Sequence, residues 1–413
     1  MSDAAGVLAR ALREAPPDML VEAADRTVRV LLDARGAEVL LADYRSTGLW
    51  PVRQPAGPDD DTPVDAAHRC YGAQREVLAH GDDDSCLLYL PLTAWGERLG
   101  VLVVDFATAP SPEVVRRAQE LAGDLATALR AADRDTDRYR RTRRRERLSM
   151  AAEMQWDLLP GRSAAHEAYR LAGQLEPAYT VGGDHFDWAI NGDDLCVTVL
   201  NGDGTGLGAS LLTSVAVNAM RNARRSGGGL VEQAELASDT IYSQYRGRRH
   251  VATLLLELDV RTGRLGAVDA GSPRAVLVRG TSVRPLRLEQ QLPLGMFAET
   301  RYEVQELLLQ PGDRLFVVSD GVYSAEPGGR EPYGRRAMAR AMRAACLQPA
   351  TEAVGTVIRE LHAYHDRVDL RDDAVVVCLD WFGGGGRGGS PETSRSTGDG
   401  GRSTGGAGGG RTN

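Results

Sequence analysis

The stretch from Gly182 to Leu212 limits most sharply what this chain can fold into. It reads Gly-Gly-Asp-His-Phe-Asp, then an apolar run Leu195-Cys-Val-Thr-Val-Leu200, then Asn201-Gly-Asp-Gly-Thr-Gly206, then residues at helical spacing. An alternating, β-branched run that ends in a glycine-dense turn predicts a strand, a tight turn and a helix. Glycines there let the backbone approach another group closely. Carboxylates beside backbone carbonyls suit a hard cation such as magnesium or manganese. Taken alone, the stretch also fits a plain polar turn.

Repetition adds weight to the cation. Leu315-Phe-Val-Val318 runs into Ser319-Asp320-Gly321, and Asp372-Asp373 leads into Ala374-Val-Val-Val-Cys-Leu379. Three apolar strands, far apart in sequence, thus carry Asp or Asn at one tip. Strands that gather carboxylates at one sheet edge are how a two-metal site is built.

Residues 148–382 resemble the SpoIIE-like branch of the bacterial metal-dependent protein phosphatases, the protein phosphatase 2C (PPM-type) superfamily. The matching pieces begin with Ala152-Glu-Met-Gln155, Leu158-Leu-Pro160, Pro177-Ala178, Val181-Gly-Gly-Asp184 and the 201–206 turn with Ala209. They continue with Ala252-Thr253, Asp269-Ala-Gly271 with Pro273, Pro293-Leu-Gly295, Pro311-Gly-Asp313, Ser319-Asp-Gly-Val322 and Asp372-Asp373. Each is weak alone; their order and spacing make the resemblance specific.

The resemblance implies a β-sandwich flanked by helices and a protein serine/threonine phosphatase activity. Asp184, Asn201, the Gly202 carbonyl, Asp320 and Asp372 would surround two manganese or magnesium ions. Asp184, Asp320 and Asp372 would form the catalytic set with Asp373, which would orient water or substrate. The implied substrate is a phosphoserine on a regulatory protein of the anti-sigma-factor antagonist type. No nucleophilic Ser319 or Cys346 is needed, and His185 and His250 read as packing or surface residues before general acids.

Two positions depart from the family pattern. Its turn normally opens with Asp where this chain has Asn201, and its Ala-Gly-His is here Ala270-Gly271-Ser272. Asn can ligate through its carbonyl oxygen, yet it cannot help neutralise two dications. Asp203 lies two residues on and is the other candidate bridge. The alternative function is therefore a scaffold that kept the fold and lost metal affinity.

The remaining chain frames this domain. At 413 residues, two domains are expected. Residues 1–132 combine helices, strands near 37–42 and 87–92, and a Trp95-Gly-Glu-Arg98 hairpin turn, a layout that resembles a GAF-type sensory domain. The fold class is thus α+β, with the sensor preceding the sandwich. His68, His80, Cys70 and Cys86 read as scattered residues before metal or haem ligands. Residues 112–159 predict a nearly continuous helix whose second half, the linker 133–160, holds seven arginines in positions 138–147. A solvated helix, capable of pairing in a homodimer, explains that run better than nucleic-acid binding. The phosphatase-like domain spans 161–382. Residues 383–413 hold 14 glycines and predict a disordered tail. A net charge of −8 argues against nucleic-acid partners. Five cysteines without paired spacing, together with no signal pattern or long apolar run, predict a cytoplasmic protein with no membrane span.

Overall fold

The computed structural model describes residues 10–44, 48–53, 64–80, 85–144, 149–177, 181–326, 331–365 and 370–384. The glycine-rich tail beyond 384, the acidic runs at 59–61 and 82–84, Ala178 and the arginines at 145 and 147 lie outside these residues.

The N-terminal half runs α1 (Leu20–Leu31), β1 (Gly36–Ala42), β2 (Leu49–Pro51), α2 (Val64–Ala73), β3 (Val77–His80), β4 (Cys86–Ala94), β5 (Glu97–Phe106) and α3 (Pro112–Ala132). Its five strands form one antiparallel sheet in the order β2-β1-β5-β4-β3. The expected hairpin joins β4 to β5 through Trp95 and Gly96, both at positive φ, which matches a two-residue turn to the strand twist. Helices α1 and α3 cover one face, where Val28, Leu90, Leu121 and Leu125 are buried together. Helix α2, in a stretch that lacks a clear apolar period, covers the other face with Cys70 against Tyr89 and Val101.

The expectation of one helix over 112–159 is corrected. The chain forms α3, then α4 (Arg138–Arg143), then α5 (Met150–Leu158). Several of the arginines that looked solvated have partners. Arg138 pairs with Glu22 at 2.7 Å, and Arg143 is buried with its Nε donating to the Ala42 carbonyl at 3.1 Å. Arg140 bridges to Asp157 on α5 at 2.6 Å. The apolar residues of α3 are buried against its own sheet, and the helix ends at Ala132, so the continuous helix expected to pair with a second copy does not form.

The C-terminal half contains β6 (Ser163–Ala165), β7 (Tyr169–Glu176), β8 (Asp184–Asn191), β9 (Asp194–Gly202), α6 (Gly206–Arg225) and α7 (Leu230–Tyr245). Strands β10 (Val251–Asp259), β11 (Arg264–Ala270), β12 (Arg274–Arg279), β13 (Ser282–Pro285), β14 (Gln305–Leu308) and β15 (Asp313–Val318) follow. Helices α8 (Asp320–Tyr323), α9 (Ala337–Ala344) and α10 (Ala350–Tyr364) precede β16 (Ala374–Trp381). The strands make two antiparallel sheets, ordered β14-β11-β10-β9-β8 and β13-β12-β15-β16-β7-β6. Phe186, Val197, Leu254, Leu277, Leu315 and Val377 fill the space between them. Leu200 and Leu255 face outward to Val217 on α6 and Ile241 on α7, while Phe316 and Val376 face Met342 on α9 and Val357 on α10. Each such side chain contributes roughly 1.5–3 kcal/mol on burial. This is the helix-flanked sandwich that the sequence predicts. Strand β16, buried at every position, shows why residues 374–379 are an unbroken apolar run: both faces are covered.

The halves touch. Ser163 Oγ donates to the Gly96 carbonyl at 2.8 Å, and Arg162 Nη1 donates to the Asp43 carbonyl at 3.2 Å. Among the described residues, no helix is long and apolar enough to cross a membrane.

Candidate metal centre

Strand register brings the predicted residues to one end of the sandwich. Asp184 opens β8 and pairs with Asn201 near the end of β9. Across the sandwich, the Ser319 hydroxyl accepts from Val375 N at 2.9 Å, and Ser319 N donates to the Val375 carbonyl at 3.1 Å. These bonds tie the exit of β15 to the entry of β16, so Asp320 meets Asp372 and Asp373. The approach needs glycine. A Cβ on Gly183 would overlap the Gly202 carbonyl, and one on Gly321 would overlap the Asp373 carbonyl. Thr213 on α6 donates to the Gly183 carbonyl at 2.7 Å, fixing that crossing to the helix.

Asp184 is fully buried, and neither carboxylate oxygen has a hydrogen-bond partner of ordinary geometry. Burial first, then the charge of Asp373, push its carboxyl well above the usual range; Asp320 and Asp372 add to this, and only the Ser319 hydroxyl pulls it down. Asp372 sits on the solvent-facing rim, and its carboxyl is also raised, by desolvation and then by Asp320. A dry carboxylate with unpartnered oxygens, Asp184, beside other carboxylates that repel it is a setting that fits a hard divalent cation. The set is not a ready cage: among the described residues, no three His, Cys, Asp or Glu side chains converge as a metal-holding group.

Asn201 contributes to that. Its Nδ2 donates to Asp320 Oδ1 and lies 3.5 Å from Ser272 Oγ. The neutral amide therefore meets the Asp320 carboxylate as a donor, which an Asp could not do. The Gly202 carbonyl lies against Gly183 at the same strand end. Asp373 is buried and accepts from Gly182 N at 2.9 Å and from Gln155 Nε2 at 3.2 Å, contacts that position the 182–184 turn. Asp203 is exposed, with its N–H on the His250 carbonyl at 3.1 Å. His185 is buried beside Phe186, and burial pushes its ring down to about 4, so it is a neutral packing residue. In the N-terminal half, His80 Nδ1 lies 3.8 Å from Cys86 Sγ, while Cys70 is buried in the cluster on the opposite face of the sheet.

The structure also recruits residues outside the predicted site. Gln155 on α5 donates to the carbonyls of Gly182, at 2.9 Å, and Asp184, at 3.3 Å, besides Asp373. Tyr323 donates to the Ser272 carbonyl at 2.9 Å, and the Arg274 guanidinium lies 3.7 Å from the centre of the Tyr323 ring. Gln155 stands within a family-like stretch, which was the one available signal. Arg274 and Tyr323 meet only through the pairing of β12 with β15.

A cleft of about 230 Å³ lies beside Asp372, lined also by Gly321, Ser324, Glu326, His365 and Arg371. A larger cavity of about 630 Å³ lies between the halves, lined by Arg98, Arg162, Arg359 and His362, and includes none of the four aspartates.

Two antiparallel sheets thus lie face to face, with helices outside both and aspartates at one end. Residues 191–382 match the family described as Stage II sporulation protein E (SpoIIE). Protein IcfG of Synechocystis is 22% identical over 262 residues, covering 56% of this chain and 41% of its own length. The chain thus spans about two fifths of that curated relative. Among solved structures, the SiaA-PP2C domain of Pseudomonas aeruginosa aligns at 20% identity and a TM-score of 0.46, covering 51% of this chain and 85% of that one. The phosphatase domain of SpoIIE from Bacillus subtilis, solved with a fragment of its regulatory domain, aligns at 18% identity and a TM-score of 0.45, covering 52% and 63%.

Proposed function

We propose that the C-terminal domain is a divalent-metal-dependent phosphatase that removes phosphate from serine or threonine on a regulatory protein. The observation that carries this is Asp184: a fully buried carboxylate with unpartnered oxygens, facing Asp320, Asp372 and Asp373 in a SpoIIE-family domain. Asp184, Asp320 and Asp372, with the Gly202 carbonyl, would hold manganese or magnesium. When bound, such ions supply a polarised water nucleophile and offset charge on the phosphoryl oxygens. Asp373 and Gln155 keep the 182–184 turn in place, and Asn201 holds Asp320.

The regulatory protein would be of the anti-sigma-factor antagonist type, in the cytoplasm, with the N-terminal unit as a GAF-like sensor. Arg140 on α4 bridges to Asp157 on α5, and Gln155 on that helix touches three groups of the site. Movement of the N-terminal unit therefore has a physical route to Asp184 and Asp373. A scaffold with little turnover is the second reading, favoured by the Asn201–Asp320 hydrogen bond. Manganese-dependent hydrolysis of a phosphoserine peptide by the full chain, absent in Asp320→Ala, supports the enzyme. No turnover at any metal concentration would support the scaffold.

A further inference from the structure

We propose that Arg274 grips the substrate phosphate, held flat on the Tyr323 ring at the edge of the aspartate cluster. This rests on the phosphatase reading and adds to it the cation that receives the phosphoryl group. Arg274 opens β12 opposite Val318, so it emerges beside the Ser319-Asp320 turn. Its guanidinium lies 3.7 Å from the Tyr323 ring centre. Tyr323 is fixed in turn by its bond to the Ser272 carbonyl, and Ser272 Oγ lies 3.5 Å from Asn201 Nδ2. The ring feels the charges of Asp320, Arg274 and Asp184 together, which places the arginine and the acids in one neighbourhood.

Two comparisons favour a ligand role over a structural one. Arg221 and Arg224 in the same domain are engaged by the buried Asp187. Arg274 is exposed and makes no ion pair among the described residues, although Asp320 and Asp184 lie near the ring on which it stacks. A guanidinium stacked on an aromatic face keeps its in-plane N–H groups for a fork-shaped acceptor, and phosphate oxygens match that fork. Charge argues the same way. A phosphate monoester entering beside Asp184, Asp320, Asp372 and Asp373 is repelled, and a cation at the rim offsets that repulsion. Position 201 carries a neutral amide, and Arg274 moves the local balance further toward accepting an anion.

The test measures binding and turnover separately in the manganese-loaded full chain. Arg274→Ala should raise KM for a phosphoserine peptide about 10- to 100-fold, the loss of charged hydrogen bonds to phosphate, with kcat within about threefold. The dissociation constant of that peptide, read by fluorescence anisotropy, should rise by a similar factor, while the unphosphorylated peptide binds as before. Arg274→Lys should fall between, since an ammonium supplies charge without the fork. Tyr323→Leu, which removes the platform, should raise KM several-fold, and a melting curve confirms that each variant folds. KM and phosphopeptide affinity within about twofold of wild type would overturn the proposal, as would equal weakening of the unphosphorylated peptide. If wild type shows no turnover, the phosphatase reading fails, and the affinity measurements still decide the role of Arg274.

Discussion

Strand β8 carries two buried aspartates three residues apart in opposite electrostatic settings. Asp184, at the site end, has no cationic partner and a carboxyl pushed well above its usual range. Asp187, beside α6, accepts from Arg221 at 2.7 Å and Arg224 at 3.1 Å. Burial alone would raise Asp187, but the two arginines outweigh it and hold the carboxyl below the usual range. One strand thus carries a carboxylate satisfied within the protein and one that is not. The first fastens a helix to a sheet; the second, in the proposed function, is left for a ligand at a cost in fold stability.

The largest expected effect breaks the second case. Asp184→Asn should lower metal-dependent turnover on the order of 100- to 1000-fold, the scale for losing a charged group at the reacting centre. It should also raise the Tm of the metal-free protein by about 2–8 °C, because a repelled buried charge is gone. A lower Tm would mean that Asp184 belongs with Asp187 as a structural residue. Next, Asp187→Ala should cost about 3–5 kcal/mol in urea unfolding, since two arginines then lose their buried partner. A cost under about 1 kcal/mol would erase the contrast.

Smaller effects sharpen it. Asn201→Asp restores a carboxylate and removes the donor to Asp320, so manganese affinity by calorimetry should rise about 10- to 100-fold. If Asp203 is the true bridge, the affinity stays level or falls and Asp203→Ala abolishes it; the exposure of Asp203 argues otherwise. The smallest effect near neutral pH concerns His185. Its folded value, about 4, lies below the ordinary 6.5, so the unfolded chain binds more protons between these values. Stability is therefore full above 6.5 and falls as pH drops toward 4. His185→Phe should flatten that slope in urea midpoints measured from pH 7 to 4.5, and an unchanged slope would place its cause elsewhere.

How legible each part was follows from where its partners lie. The strand-turn-helix at 195–225 could be read because one face of each element is apolar and the turn is marked by glycine. Strand β8 was hidden: Asp184, His185 and Asp187 are polar yet buried, so the hydropathy pattern conceals a strand that pairs with β9 from Asp184 to Asn191. The linker misled for the opposite reason. Arg138 and Arg143 look solvated until Glu22 and Ala42, over a hundred residues away, supply their partners. At the site, Asp184, Asp320 and Asp372 were marked by strand-end position, and register unites them. Arg274 and Tyr323 carry no local signal, and only the sheet pairing brings them together.

The central claim is that the aspartate end of the sandwich is a divalent-metal phosphatase centre weakened at Asn201. A manganese titration of phosphoserine-peptide hydrolysis by the full chain, started from chelated protein, tests it most directly. The account predicts no turnover in chelator, turnover that returns only at high manganese, a lower half-saturation in Asn201→Asp, and none in Asp184→Asn. Hydrolysis that persists in chelator, or that survives Asp184→Asn, would contradict it.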